Sequence, residues 1–291
     1  MSATQPAQVT PDGEDRRSRR GWLVLVLVLL VVAVLLAVTR PWEPEPAPEV
    51  SATPSATVPS VEPSTPEPSP SVTETPALPG AEAAFDEATI ATLFVTADDL
   101  VATVPAAADG VSTGITSGQL PWGLPGGSSI DPPECTVART IVADEPTAFD
   151  ARSWTAPTLD YAQEVTVLPD AARAQVAFRE LVTAVDACPQ YSQVNPGIDG
   201  ATWTTQPAIE GQGQYPAIEQ ELVHAAEGQE LPGYRGHLLV GNTVVTWTAT
   251  ALPPEGGTPD IGVLGPEADL STMVQERALA AVSALPPADE G

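Results

Sequence analysis

A basic cluster followed directly by an uninterrupted apolar stretch most constrains how this chain can fold. Four of the residues 16–20 are arginines, and the seventeen residues 22–38 are all apolar. At about 1.5 Å of rise per residue, a helix over this stretch and its two flanking residues is nearly as long as the bilayer core is thick, roughly 30 Å. Because a helix satisfies its own backbone hydrogen bonds in hydrocarbon, the sequence predicts a transmembrane helix over residues 21–39.

The charges on either side of this helix predict its orientation. Four arginines precede the helix and Arg40 alone follows it closely, and the more basic flank of a membrane helix faces the cytoplasm. We therefore expect a single-pass signal-anchor, with residues 1–20 as a cytoplasmic tail and the lipid bilayer as the partner of residues 21–39. A cleaved signal peptide is the alternative, although its apolar region is usually shorter and Leu35-Leu36-Ala37 is a poor cleavage site.

A change in composition after the helix separates a linker from a folded domain. Residues 40–80 are rich in Pro, Ser, Thr and Glu and contain almost no large apolar side chains. Such a segment buries too little apolar surface to fold, so we expect a disordered stalk. Residues 81–291 are long enough for one domain with its own core, which we expect to be extracytoplasmic.

The charge of the chain excludes one class of partner. The net charge is −27 and there is no lysine, and the few positively charged residues after residue 40 are all arginines. An acidic surface repels the phosphate backbone, so we expect no nucleic-acid partner. High solubility is the simplest interpretation of this charge.

The two cysteines, Cys135 and Cys188, both follow the apolar stretch. An even number of cysteines in an oxidising compartment indicates one disulfide bond. A pair of reactive thiols is the functional alternative.

A strand followed by a helix is the clearest local pattern. Alternating apolar residues predict a strand over residues 161–167, and Asp170 is a suitable N-cap for the helix that follows. The apolar face of that helix consists of Ala174, Phe178, Leu181, Val185 and Cys188. Near the start of the domain, Thr96 has the character of an N-cap of a short helix.

A hairpin and a closing helix complete the predicted fold. Two β-rich runs, 237–240 and 243–248, are separated only by Gly241-Asn242, which suits a tight primed turn. An earlier strand is expected at residues 217–224, and a last helix at residues 268–285. This order predicts an α+β domain in which helices pack on an antiparallel sheet.

No motif in the sequence predicts catalysis, a metal ion or a cofactor. A zinc site needs three or four ligands, whereas His224 and His237 are the only histidines and the cysteines are expected to be bonded. Gly126-Gly127-Ser128-Ser129 is the nearest match to a nucleophile turn, but it lacks the strand–turn–helix context. We therefore predict no catalytic, cofactor-binding or metal-binding residues and no enzymatic activity.

Four tryptophans of the domain are candidates for lining a ligand cleft. Trp122 and Trp154, which lie in less regular segments, are the residues that we expect to line the cleft. Trp203 is a further candidate, and Trp247 in the predicted hairpin is expected in the core.

The segment from Gln163 to Ala174, running on to Phe178 and Cys188, resembles the PknH-like extracellular sensor domain. That domain occurs on mycobacterial serine/threonine kinases and on related actinobacterial membrane-anchored proteins. The hairpin over residues 239–245 and the closing helix look like its C-terminal half, so the resemblance covers about residues 90–286.

The resemblance implies one α+β domain with a cleft for an extracellular ligand. This chain departs from the family pattern in two ways, which limits what the resemblance implies. The kinase domain usually carries a second disulfide, for which this chain has no cysteines, and a cytoplasmic tail of residues 1–20 is too short to be a kinase.

The leading hypothesis is a membrane-tethered, non-enzymatic, sensor-like domain that binds an extracytoplasmic ligand or a cell-envelope partner. The first alternative is a structural or interaction protein of the envelope that has no small-molecule ligand. The second is an extracytoplasmic hydrolase, which predicts a nucleophile or a carboxylate pair at the base of the cleft.

Overall fold

The computed structural model describes residues 80–197 and 200–286. The predicted transmembrane helix at residues 21–39 and almost all of the predicted linker at residues 40–80 lie outside these ranges. Within the described residues, the helices are too short or too polar to cross a bilayer.

The described part of the chain contains ten strands and four α-helices. Strands β1 to β10 are Ser112–Thr113, Ser129–Asp131, Ala148–Ala156, Leu159–Val167, Gln190–Val194, Thr202–Thr205, Ile209–Glu210, Ala217–Ala226, Gln229–Val240 and Thr243–Ala251. Helices α1 to α4 are Ala97–Thr103, Thr136–Thr140, Ala171–Ala187 and Glu267–Ala284. Short 3₁₀ helices are Ile90–Leu93, Pro105–Ala107, Pro133–Cys135 and Ile261–Leu264.

All ten strands belong to one antiparallel sheet. Its order is β1-β3-β4-β10-β9-β8-β6-β5-β2, and β7 pairs with β8 outside this path. The predicted class, an antiparallel sheet packed by helices, is confirmed. The predicted hairpin is also present, but β9 begins at Gln229 rather than at residue 237, because the backbone around Pro232 continues to pair with β8.

The sheet is covered by helices on both faces. Neighbouring residues of a strand point to opposite faces, so Val244 belongs to one buried cluster and Val245 to the other. We call the first face the α3 face, because α2, α3 and the disulfide pack there. The second is the α4 face, where α1, α4 and the first residues of the domain pack.

Helix α3 is anchored at both ends as the sequence predicts. The side chain of Asp170 accepts a hydrogen bond from the backbone N–H of Arg173 at 2.7 Å, which caps the first turn. The predicted apolar face is buried. At the other end, Cys188 forms the predicted disulfide with Cys135, and both cysteines are buried.

The turn between β9 and β10 fastens the first residues of the domain to the sheet. Gly241 has a φ of +55°, as the first position of a type II′ turn requires. The Asn242 side chain accepts a hydrogen bond from the N–H of Phe85 at 2.7 Å and donates to the carbonyls of Phe85 and Leu168, each at 3.0 Å. One amide thus connects three parts of the chain.

Three carboxylates meet where α4 begins on the α4 face. Glu219 of β8 is buried and accepts a hydrogen bond from the Ser271 hydroxyl. Burial, together with the negative charges of Glu219 and Glu221, raises the pKa of Glu267 to about 7 from an ordinary value of 4.5. Glu267 is therefore a partly buried acid that ionises in the folded protein only near neutral pH.

Replacing Glu267 with Gln is expected to stabilise the protein at pH 8 but not below pH 4.5. The folded state holds this proton more tightly than the unfolded chain, so wild-type stability falls as the pH rises from 4.5 to about 7. After a discount for solvent screening, the gain is about 1 kcal/mol. Urea unfolding at pH 4.5 and pH 8 measures it, with the exposed Asp269→Asn as control. An equal gain at both pH values would refute this origin of the effect.

Candidate functional site

The α3 face changes from apolar to polar along β9 and β10. Helix α3 packs at the apolar end, and beyond it the sheet floor carries side chains that hydrogen-bond. The successive cross-strand pairs on this face are Leu239–Val244, His237–Thr246 and Arg235–Thr248. The uncovered polar part of this face forms the floor of a groove, which we call the α3-face groove.

One end of the groove is a cavity of about 350 Å³ beneath a Pro/Gly-rich loop. The loop supplies residues 120–126, and the sheet supplies Phe149, Glu164 and Gln193. The indole N–H of Trp122 donates a hydrogen bond to the Thr140 carbonyl at 3.2 Å, which fixes the half-buried ring against α2. We call this the Trp122 cavity.

The other end is a cavity of about 230 Å³ on the strands themselves. Arg235 lies on its floor between the threonine-bearing strand β10 and the aromatic residue Trp203 of β6. We call this the Arg235 cavity. Its lining residues are Arg139, Ile141, Asp160, Ala162, Glu164, Trp203, His224, Arg235, Thr246, Thr248 and Thr250.

The two cavities share an ion pair in their linings. Arg139 and Glu164 line both cavities, and their nearest charged atoms, Nη1 and Oε1, are 3.7 Å apart. The side chains are 31% and 18% exposed, so this pair is partly screened by water and contributes at most about 1 kcal/mol.

Arg235 is 7% exposed and has no carboxylate within 4.0 Å among the described residues. Its Nε–H donates to the Thr248 hydroxyl at 3.3 Å, and its Nη1 donates to the Tyr191 hydroxyl at 2.7 Å. Its Nη2 atom has no hydrogen-bond partner in this part of the chain. A guanidinium is always charged, so the groove floor holds a cation whose two hydrogen-bond partners are both neutral hydroxyls.

Stacked rings on three strands position the Tyr191 hydroxyl. Tyr191, Trp203 and His224 are cross-strand neighbours on β5, β6 and β8. The ring centroids are 5.3 Å apart between Tyr191 and Trp203 and 5.1 Å apart between Trp203 and His224, and both pairs are nearly parallel. This ladder forms a rigid wall beside Arg235.

The two histidines on this face are held neutral. Burial and the charges of Arg235 and Arg139 lower the pKa of His224, and burial with the charge of Arg235 lowers the pKa of His237 to about 3. His237 shares a hydrogen bond of 2.9 Å with the Thr246 hydroxyl. At neutral pH, positive charge in the Arg235 cavity therefore comes from the arginines.

The structure places the candidate tryptophans in different environments. Trp122 lines the groove, whereas Trp154 is buried on the α4 face, 5.9 Å from the ring of Tyr161. Trp154 does not line the groove, because the register of β3 against β4 points it to the opposite face. Trp203 lines the Arg235 cavity, and Trp247 is 2% exposed in the core.

The candidate metal ligands and the candidate nucleophile do not form a metal site or a catalytic pair among the described residues. His224 and His237 lie on one face, but no group of three or more His, Cys, Asp or Glu side chains in residues 80–197 and 200–286 is placed to hold a metal ion. The Ser128 hydroxyl donates to the Asn195 amide oxygen at 2.7 Å, so its partner is an amide and not a histidine.

Arg235 and Arg139 are the groove residues that the sequence does not single out. Arg235 follows Pro232 and Gly233, which disfavour a strand, so the sequence does not predict that a strand includes Arg235. One signal was available: Arg235 is the only basic residue other than histidine between Arg179 and Arg277, and it shares the alternation of the predicted strand that follows it.

Comparisons with known proteins find solved structures that resemble this domain. No family model and no curated protein matches the sequence. The extracellular domain of PknH from Mycobacterium tuberculosis matches the structure with a TM-score of 0.50 and 14% identity, over 69% of this chain and 98% of that chain. An uncharacterised Rv0999 orthologue from Mycobacterium smegmatis has a TM-score of 0.32 and 16% identity, over 60% of this chain and 86% of that chain.

The described residues thus form an α+β domain in which one antiparallel sheet is packed by helices on both faces. More particularly, the domain shares the fold of the extracellular domain of PknH, as the strand–helix segment and the hairpin predict.

Proposed function

We propose that this chain is a membrane-tethered, extracytoplasmic, sensor-like protein that binds a ligand in the α3-face groove and does not catalyse a reaction. The observation that carries the proposal is the buried guanidinium of Arg235 on the groove floor, which lacks a carboxylate partner among the described residues. A buried charge without a counter-charge is costly, and a ligand that compensates it would remove that cost.

The shape of the groove also supports binding. Small-molecule sites usually combine apolar walls with a few polar groups that fix the orientation of the ligand. Here Trp122 and Phe149 supply apolar surface, whereas Arg139, Arg235 and Thr248 supply hydrogen-bonding groups. A single ligand that occupied both cavities would lie against the Arg139–Glu164 pair, which lines both of them.

The fold supports the proposed location outside the membrane. The structure that it resembles is the extracellular domain of PknH. For this chain, residues 21–39 would be the anchor, residues 1–20 the cytoplasmic tail and residues 40–80 the stalk. Protease digestion of intact spheroplasts tests the topology: residues 81–291 should be degraded from outside. Protection of that domain in intact spheroplasts would refute the topology, and an N-terminus located after residue 39 would indicate a cleaved signal peptide instead.

A thermal-unfolding screen tests ligand binding. The intact chain in lipid nanodiscs is unfolded, with tryptophan fluorescence as the readout, in the presence of muropeptides, cell-wall glycans or lipid extracts. A ligand present at one hundred times its Kd stabilises the folded state by about 2.7 kcal/mol, which is a shift of several degrees. No shift with any fraction would contradict the proposal and favour an envelope protein that has no small ligand.

A further inference from the structure

We infer that the groove recognises an oxyanion, the carboxylate or phosphate group of an acidic envelope molecule, through the guanidinium of Arg235. This inference rests on the proposed ligand-binding function and names the chemical class that the same groove selects. It follows from three features of the Arg235 cavity: unused donors on the guanidinium, the arrangement of charges around it, and the room beside it.

The guanidinium of Arg235 is held in one orientation, but some of its N–H donors have no hydrogen-bond partner among the described residues. Thr248 of β10 and Tyr191 of β5, whose strands lie on opposite sides of β9, hold its Nε and Nη1 atoms, while Nη2 has no partner in the described residues. Both supporting groups are hydroxyls, which orient the planar fork without neutralising it. An arginine held in this way presents donors to a second group, and paired N–H donors match the geometry of carboxylate and phosphate oxygens.

The two acidic residues that line the cavity, Glu164 and Asp160, form no ion pair with Arg235. Glu164 pairs with Arg139 at 3.7 Å. Asp160 is exposed and lies two strands from Arg235, offset by two residues along the strand. Standard strand spacing places the two Cα atoms about 12 Å apart, so Asp160 does not compensate the buried cation directly. The positive charge at the floor is thus available to a ligand.

The cavity has room for such a group. Its volume of about 230 Å³ is several times the roughly 30 Å³ share of one water molecule. A carboxylate or phosphate fits beside Arg235, with Trp203 as one wall. The rest of the ligand would extend towards the Arg139–Glu164 pair and the Trp122 cavity beyond it.

Binding of defined anions to matched arginine variants tests this inference. The probes are inorganic phosphate, glycerol phosphate and glucuronate, titrated against chloride at constant ionic strength, with the intact chain in nanodiscs. The variants are Arg235→Gln, which removes the charge, and Arg235→Lys, which keeps the charge but loses the planar fork. Arg179→Gln, an exposed arginine on α3, is the matched control. The readouts are the shift in Tm and the Kd from calorimetry.

The inference predicts that at least one of the probes stabilises wild type and Arg179→Gln equally. Loss of a charge-assisted pair weakens binding about tenfold to a hundredfold in Arg235→Gln, and by several-fold in Arg235→Lys. Stabilisation by phosphate alone or by glucuronate alone identifies the group. The Lys variant keeps the test valid if the Gln variant does not fold.

Three results would overturn the inference. In the first, anions stabilise the wild type and both Arg235 variants equally, which places the anion elsewhere. In the second, no anion binds although a neutral envelope fraction shifts the Tm of wild type and Arg235→Gln alike. That result refutes oxyanion recognition and leaves the proposed function intact. In the third, no anion and no envelope fraction binds or shifts the Tm, which refutes both the inference and the proposed function.

Discussion

Replacing Cys188 with Ser should lower the free energy of unfolding by about 4 kcal/mol, the largest effect that we expect from a single substitution. The bond closes a loop over a sequence separation of 53 residues, and in the chain-entropy model such a loop restricts the unfolded chain by about this amount. The same bond ties the end of α3 to the Pro133–Cys135 helix beside the groove. We therefore expect the α3 face to loosen first.

Thermal unfolding without reductant measures this effect, and the expected fall in Tm is about 10 °C. The double variant Cys135→Ser/Cys188→Ser is the control: it should lose about as much as the single variant, because one bond is lost in both. Wild type treated with a strong reductant should approach the same Tm. A Cys188→Ser variant that melts within 2 °C of wild type would contradict a stabilising role for the bond.

Replacing Asn242 with Ala should cost about 3 kcal/mol, the second largest effect. The substitution removes three hydrogen bonds and leaves the buried N–H and C=O of Phe85 and the carbonyl of Leu168 without the amide. Each buried backbone group that loses its partner costs about 1–3 kcal/mol, and water entry recovers part of this. The first residues of the domain should detach from the sheet before the rest unfolds.

Urea unfolding gives the stability change, and hydrogen exchange at Phe85 locates it. Glu227→Ala is the control, because Glu227 lies in the tight turn between β8 and β9 and is exposed. It should change the stability by less than about 0.5 kcal/mol. Equal losses from the two variants would show that the turn conformation, and not the amide contacts of Asn242, is what matters.

Local patterns predicted much of the fold, because they report local physics. The apolar positions of α3 recur at helical spacing and Asp170 caps the helix, so that element could be recognised from the sequence alone. Gly241-Asn242 marks the turn for the same reason. The start of β9 was missed because Pro232 and Gly233 disfavour a strand locally, whereas pairing with β8 overrides that preference.

The groove was harder to predict, because it depends on register. Whether a tryptophan faces the groove or the core depends on which strands pair and in which alignment, and a slip of one residue reverses the answer. Trp154 is therefore buried beside Tyr161, although its position in the sequence gives no sign of this. The Arg235 guanidinium is held in place only when β5 brings the Tyr191 hydroxyl to it. No single segment of sequence contains that contact.

Indole N–H signals in a two-dimensional NMR spectrum test the central claim, that a ligand binds in the α3-face groove, most directly. The intact chain is labelled with ¹⁵N, its tryptophan signals are assigned by Trp→Phe variants, and a fraction or probe that raises the Tm is added. Binding in the groove predicts that the signals of Trp122 and Trp203 move, while those of the core residues Trp154 and Trp247 stay in place. If a stabilising ligand leaves both groove signals unchanged, it binds elsewhere and the groove is not the binding site.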